Sequence, residues 1–341
     1  MSKPRIWYLP SPSHTEKIFS KETYKAFRDN FDVEVNNLET ASTPSEVEEK
    51  ISRFDGLVTG WGVAPFTKTA LERADKLKII VHSAGSVKYL FNSEMITKQI
   101  VPKRIRIFSA NHSIALNVAE HTVGSLIMMS RRWFHHALNI RNRKMWQDSE
   151  LTKTCQHLRG SVVGIVSASA VGKEVIRLLK SFNVQILIYD PYLDEQEASK
   201  LNVERVDLKR LFKNSDMVTI HAPSTPETEG LIGSEQLRLL KDDAVLINTS
   251  RGSVLDSDAL YEVAKLGRIQ VHLDVTYPEP LPEDHVLRSL PNVVITPHIS
   301  ARGKYGMHKI GETSLTALIK FFEGIDPIPG QIDLSKWSYL A

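Results

Sequence analysis

The sequence has a single cysteine, Cys155, among 341 residues. One cysteine rules out an intrachain disulfide and a thiolate zinc centre, and it fits a reducing compartment. No apolar run approaches the length needed to span a bilayer, so no membrane segment is expected. The opening residues, MSKPRIWYLP, lack the apolar core of a signal peptide, and a cytoplasmic protein is expected. Charge of one sign is also scarce. The net charge is +3, with acidic and basic residues interspersed, which does not make a nucleic-acid surface. The one basic group, Arg131, Arg132, Arg141, Arg143 and Lys144, reads as the solvated face of a long helix. His82, His112, His135 and His136 show no metal-ligand spacing, so no metal is expected.

What is present is an ordinary globular composition, 42% hydrophobic and 24% charged, in a chain long enough for two cores. Short β-rich runs alternate with helical patterns. RIWYL (5–9), VEV (33–35), GLVTG (56–60), KIIVH (78–82) and RIF (106–108) read as strands. Charged helical stretches such as SEVEEKISR (45–53) and KTALERAD (68–75) lie between them. A helix is predicted over 113–145, because Leu116, Ala119, Val123 and Ile127 recur at three- and four-residue spacing. A second series follows: VVGIV (162–166), VQILIYD (184–190), MVTIHA (217–222), AVLINTS (244–250), IQVHLDV (269–275) and VVITPH (293–298). These nearly continuous apolar runs suit a parallel sheet covered on both faces, and the whole order defines an α/β protein. A closing helix carries Ile310, Leu315, Leu318 and Phe322, and an extended arm is expected after it.

VVGIV runs straight into the helical stretch that follows SASAVG. A strand, a tight turn and a helix start aim backbone N–H groups at a pyrophosphate. Of the three glycines of the GxGxxG fingerprint only Gly172 is present; Ser167 and Ser169 occupy the other two positions. Asp190 ends the next strand, eighteen residues past Gly172. A carboxylate there accepts from the adenosine ribose hydroxyls and repels a 2′-phosphate, which favours NAD over NADP. Alternatively, Asp190 caps the turn before Pro191.

Three polar residues follow late strands: Arg251 in INTSRGSVLD, Glu279 in LDVTYPEPLP and His298 in VVITPHIS. Carboxyl ends of parallel strands converge on the ligand crevice.

With these motifs the chain resembles the D-isomer-specific 2-hydroxyacid dehydrogenase family. The resemblance rests on NVAEHTVGSLIMMSRR (117–132), LRGSVVGIV (158–166), NSDMVTIHAPSTPETEGLI (214–232), LLKDDAVLINTSRG (239–252), LDVTYPEP (273–280) and TPHIS (296–300). It implies two Rossmann-like domains with parallel sheets. A split substrate domain would comprise residues 1–111 and 301–341, and a central NAD-binding domain with a linking helix residues 112–300. It implies NAD-dependent hydride transfer to or from a small 2-oxo or 2-hydroxy acid, in a homodimer, with Arg251, Glu279 and His298 catalytic. It further implies that Ser169, Ala170, Val171, Asp190, Ala222, Pro223, Thr249, Ser250 and Asp274 line the cofactor. Gly85, Ser86 and Val87 would bind the substrate carboxylate, along with Arg251 and His298. Lys88, Leu90 and the ARGKYG segment, with Arg302 and Lys304, depart from the family's usual residues, and Trp61 is either a pocket wall or core packing. Two alternatives stay open: an NAD-binding corepressor-like module, and a phosphite-type dehydrogenase. A formate dehydrogenase is disfavoured because those enzymes carry glutamine where Glu279 stands.

Overall fold

The computed structural model describes residues 3–339. The chain forms two compact units, Met1–Ile114 with Arg302–Ala341, and Ala115–Ala301. The first unit holds strands β1 (Arg5–Tyr8), β2 (Asp32–Val35), β3 (Gly56–Thr59), β4 (Ile79–His82) and β5 (Arg106–Ser109). They form a sheet in the order β2-β1-β3-β4-β5, with every pairing parallel. Trp7, Leu57, Ile80 and Ile107 point to the same buried cluster, as the two-residue period of a strand requires.

The second unit holds β6 (Val162–Val166), β7 (Gln185–Tyr189), β8 (Glu204–Arg205), β9 (Met217–Ile220), β10 (Val245–Asn248), β11 (Gln270–Leu273) and β12 (Val293–Ile295). Their order is β12-β11-β10-β9-β6-β7-β8, again all parallel. Both faces are dry. Val245 and Ile247 join one core with Val175, Ile176 and Leu179 of helix Ala170–Leu179. Leu246 joins the other, with Leu260 and Val263 of helix Ser257–Ala264. Each fully buried aliphatic side chain of this kind contributes roughly 1.5–3 kcal/mol. The chain reverses direction across the sheet between β6 and β9, so their carboxyl ends flank the switch point where such sheets bind ligands.

Three expectations need correction. The helix predicted over 113–145 is two helices, Asn111–Ser130 and Trp133–Arg143, separated by Arg132 in the left-handed region at φ 54°. Arg132 is 2% exposed, and its guanidinium donates to Asp243 Oδ1 at 2.9 Å and Thr154 Oγ1 at 3.2 Å. Arg132 is buried and Asp243 is partly exposed, so losing Asp243 would leave an unpaired buried charge. Arg132 therefore leaves the solvated basic face, on which Arg131, Arg141, Arg143 and Lys144 stay exposed. β8 was not foreseen, because two charged residues at a sheet edge carry no apolar pattern. The C-terminal arm is extended only where Gly330–Ile332 pairs along β5, with Ser109 N to Gly330 O and Ile332 N to Ile107 O both at 2.8 Å. It then winds into a 3₁₀ helix, Leu334–Tyr339, that buries Trp337 in the first unit's core. Among the described residues no helix is long and apolar enough to cross a membrane.

Candidate active site

All seven strands of the second sheet run the same way, so the loops after them share one edge. The loop after β6 contains Ser167, Ala168 and Ser169. Ser167 has φ 82°, a conformation natural to the glycine of the fingerprint and strained by about 1–2 kcal/mol for an L-residue. Its Oγ donates to Asp190 Oδ2 at 3.2 Å, and Ala168 N donates to the same oxygen at 2.7 Å. Asp190 Oδ1 accepts from Tyr192 N at 2.8 Å. Asp190 thus caps the turn before Tyr192 and also ties it to the β6 loop. Ser169 is the N-cap of helix Ala170–Leu179; its Oγ accepts from Gly172 N at 3.3 Å, which leaves the hydroxyl hydrogen free to donate. Gly172 is required: a Cβ there would lie 2.1 Å from Ser167 O. Ala170 and Val171 carry first-turn amides with no acceptor inside the helix.

After β9, Ala222 is buried, and Pro223 O accepts from Thr228 Oγ1 at 2.5 Å. After β10, Asn248 organises the loop. Its Oδ1 accepts from Ser250 N (3.0 Å) and Ser250 Oγ (2.9 Å), and its Nδ2 donates to Arg251 O (3.0 Å). Thr249 is buried against Thr122, Oγ1 to Oγ1 at 3.0 Å. Arg251 leads out of this turn, one Nη donating to Ser250 O at 2.7 Å. Desolvation by the surrounding protein lowers its pKa and the nearby Glu279 opposes the shift; the side chain is nonetheless solvent-accessible. A guanidinium stays charged in such a setting. Gly252 lets the next loop close in: a Cβ there would meet Thr276 C at 2.0 Å.

After β11 come Asp274 and Glu279; after β12 comes His298. His298 Nδ1 lies 2.6 Å from Glu279 Oε1. Their side chains are 44% and 41% exposed. His298 has φ 52° and is held there by its amide, which donates to Asp274 O at 3.0 Å. Asp274 is buried. Its Oδ1 accepts from Thr296 Oγ1 (2.6 Å) and Ile299 N (2.9 Å), and its Oδ2 from Ser300 N (2.8 Å). Burial pushes this carboxyl up, but the hydrogen bonds from Ser300, Thr296 and Ile299 outweigh it and hold the group below its ordinary pKa.

Gly85, Ser86 and Val87 lie in the first unit, in the turn after β4. Ser109 Oγ donates to Gly85 O at 2.8 Å, Ser86 Oγ accepts from Lys88 N at 3.3 Å, and Val87 is buried. Trp61 is half-exposed with its ring 5.5 Å from that of His14, so one face packs and the other is open. Arg302 and Lys304 are exposed.

Sequence reasoning passed over Asn248, Thr296 and His272. An amide ending an otherwise apolar strand was the available signal for Asn248. The other two were hidden because their role lies in meeting each other and Asp274 across 22 and 24 residues of sequence.

A doubly wound parallel sheet, a helix N-terminus at the switch point and carboxylates after β7 and β11 suit a nicotinamide dinucleotide: amides for a pyrophosphate, carboxylates for a ribose hydroxyl and a carboxamide N–H. Residues 123–300 match the family model for the NAD binding domain of D-isomer specific 2-hydroxyacid dehydrogenases. The chain is 34% identical over 295 residues to D-3-phosphoglycerate dehydrogenase from Methanocaldococcus jannaschii, covering 85% of this chain and 54% of that protein. It is 31% identical over 302 residues to glyoxylate reductase from Korarchaeum cryptofilum, covering 88% and 89%. A phosphoglycerate oxidoreductase structure from Rhizobium etli superposes with a TM-score of 0.83 over 98% of this chain and 99% of that one; at 22% identity it speaks for the fold. The chain belongs to the D-isomer-specific 2-hydroxyacid dehydrogenase family. It spans about half the length of the Methanocaldococcus relative.

Proposed function

We propose that this protein is an NAD-dependent dehydrogenase that interconverts a small 2-oxo acid and the D-2-hydroxy acid. The observation that carries the reading is the 2.6 Å pair between His298 Nδ1 and Glu279 Oε1, with Arg251 beside Glu279. The intact set of Arg251, Glu279 and His298 favours an enzyme over a binding module. When bound, NADH supplies the hydride. Arg251 grips the substrate carboxylate and polarises the carbonyl oxygen, as a planar, permanently charged fork does. His298 gives that oxygen a proton from Nε2 in reduction and takes it back in oxidation. Glu279 sets the orientation of the ring through Nδ1.

The amides of Ala170 and Val171 and the free hydroxyl hydrogen of Ser169 serve the pyrophosphate. Asp190 serves the ribose and selects against a 2′-phosphate. Ala222, Pro223, Thr249 and Ser250 line the cleft, and Asp274 takes the carboxamide. The turn Gly85–Ser86–Val87 supplies amides to the substrate carboxylate. The protein acts as a homodimer in the cytoplasm; a second copy would cover Trp133 and Trp146, which are 60% and 82% exposed.

The test is oxidation of NADH and of NADPH with a panel of glyoxylate, hydroxypyruvate, pyruvate and phenylpyruvate, the product resolved by chiral chromatography. Turnover with NADH to a D-product, or to glycolate from glyoxylate, is expected. Inactivity across the panel overturns the reading.

A further inference from the structure

Asp274 does not stand alone. Thr296 Oγ1 lies 2.6 Å from Asp274 Oδ1 and 3.0 Å from His272 Nε2. A threonine hydroxyl has one hydrogen, and an ionised carboxylate offers only lone pairs. The hydrogen therefore goes to Asp274, and Thr296 must accept from His272 Nε2–H. This inventory fixes His272 as the Nε2–H tautomer. His272 is 1% exposed, on β11 in register with Val294 of β12. Its other face meets His121, ring centroids 5.4 Å apart. Burial, then His121, push its pKa down to about 4, against the pull of Asp274, so it is a neutral donor at working pH. The chain of donors runs one way, from imidazole to hydroxyl to carboxylate. Ile299 N and Ser300 N add to it. Both oxygens of Asp274 are thereby fixed, and the carboxylate cannot swing.

We propose that His272 and Thr296 are positioning residues that aim the Asp274 carboxylate at the nicotinamide carboxamide and thereby set the affinity for the nicotinamide half of the cofactor. This rests on the dehydrogenase reading above. It assigns the nicotinamide end of the site to a buried polar chain within the second unit.

The experiment is equilibrium binding by titration calorimetry, comparing NADH with ADP-ribose, which keeps the pyrophosphate and both riboses but lacks the ring. In Thr296→Val, NADH affinity should fall about tenfold, the size of a hydrogen bond to a charged group, while ADP-ribose affinity changes less than about twofold. Thr296→Ser keeps the hydroxyl and should restore NADH binding. His272→Phe should weaken NADH selectively, and adding it to Thr296→Val should cost nothing further, because the chain is already broken. Equal losses for both ligands, or no loss for NADH, overturn the proposal. Wild-type protein that binds neither ligand overturns the dehydrogenase reading itself; wild type that binds both, with Thr296→Val unchanged, overturns only the proposal.

Discussion

Glu279 Oε1 sits 2.6 Å from His298 Nδ1, and both side chains face solvent. A carboxylate at that distance orients the ring. In the proposed reduction His298 is the proton donor and must keep this orientation. Glu279→Ala deletes the hydrogen bond and frees the ring, so the rate of NADH-dependent reduction should fall roughly 10- to 100-fold. Steady-state kcat/KM checks this; an unchanged value contradicts it.

Gly252 carries a second prediction. A Cβ there would meet Thr276 C at 2.0 Å and Thr276 O at 2.1 Å, and neither backbone atom can turn away. Gly252→Ala must part the loops after β10 and β11, which carry Arg251 and Glu279. Stability should drop by roughly 1–3 kcal/mol, as for other overpacked sites. Turnover should drop about a hundredfold, since misplacement by an ångström has that effect. Urea denaturation and kcat/KM read the two separately.

Ser167 combines a strained backbone with a useful hydroxyl. Ser167→Gly removes the strain and loses the bond to Asp190 at 3.2 Å, two terms of about 1 kcal/mol that offset each other. Ser167→Ala keeps the strain and still loses the bond. The expected order of unfolding free energy is Gly close to Ser, with Ala lower by about 1 kcal/mol. Chemical denaturation of the three proteins gives the order; alanine at or above serine contradicts the role of the hydroxyl.

How much of this was legible in the sequence depends on the physics of each signal. The strands β6, β9, β10 and β11 announced themselves because a sheet buried on both faces needs unbroken apolar runs. Arg251, Glu279 and His298 stood out because each follows such a run. β8 was silent, because Glu204 and Arg205 pair at a sheet edge without any apolar side chain. The break at Arg132 was silent too: Arg132 pairs with Asp243, 111 residues away, and helical periodicity reports only neighbours. His272 lies in one of these apolar runs and is buried with it, but its partners Thr296 and His121 are distant in sequence and meet it only after folding.

Buried histidines set the acid limit. Burial pushes His14 and His272 down to about 4 and His82 and His221 to about 3. In the unfolded chain these groups titrate near 6.5. Between the folded and unfolded values the unfolded state binds more protons, so stability is fully present above about pH 6.5 and is lost as pH falls towards the folded values. The urea midpoint should therefore drop steadily below about pH 6.5, and His221→Gln should flatten the curve. A midpoint constant down to about pH 4.5 contradicts this.

In the proposed reaction Arg251 and His298 carry the chemistry of a 2-oxo acid reductase. The decisive measurement is NADH oxidation with the best 2-oxo acid of the panel, for wild type, Arg251→Ala and His298→Ala at matched NADH affinity. Both variants should still bind NADH and lose kcat/KM by roughly a thousandfold or more. Wild-type rates in both variants would contradict it.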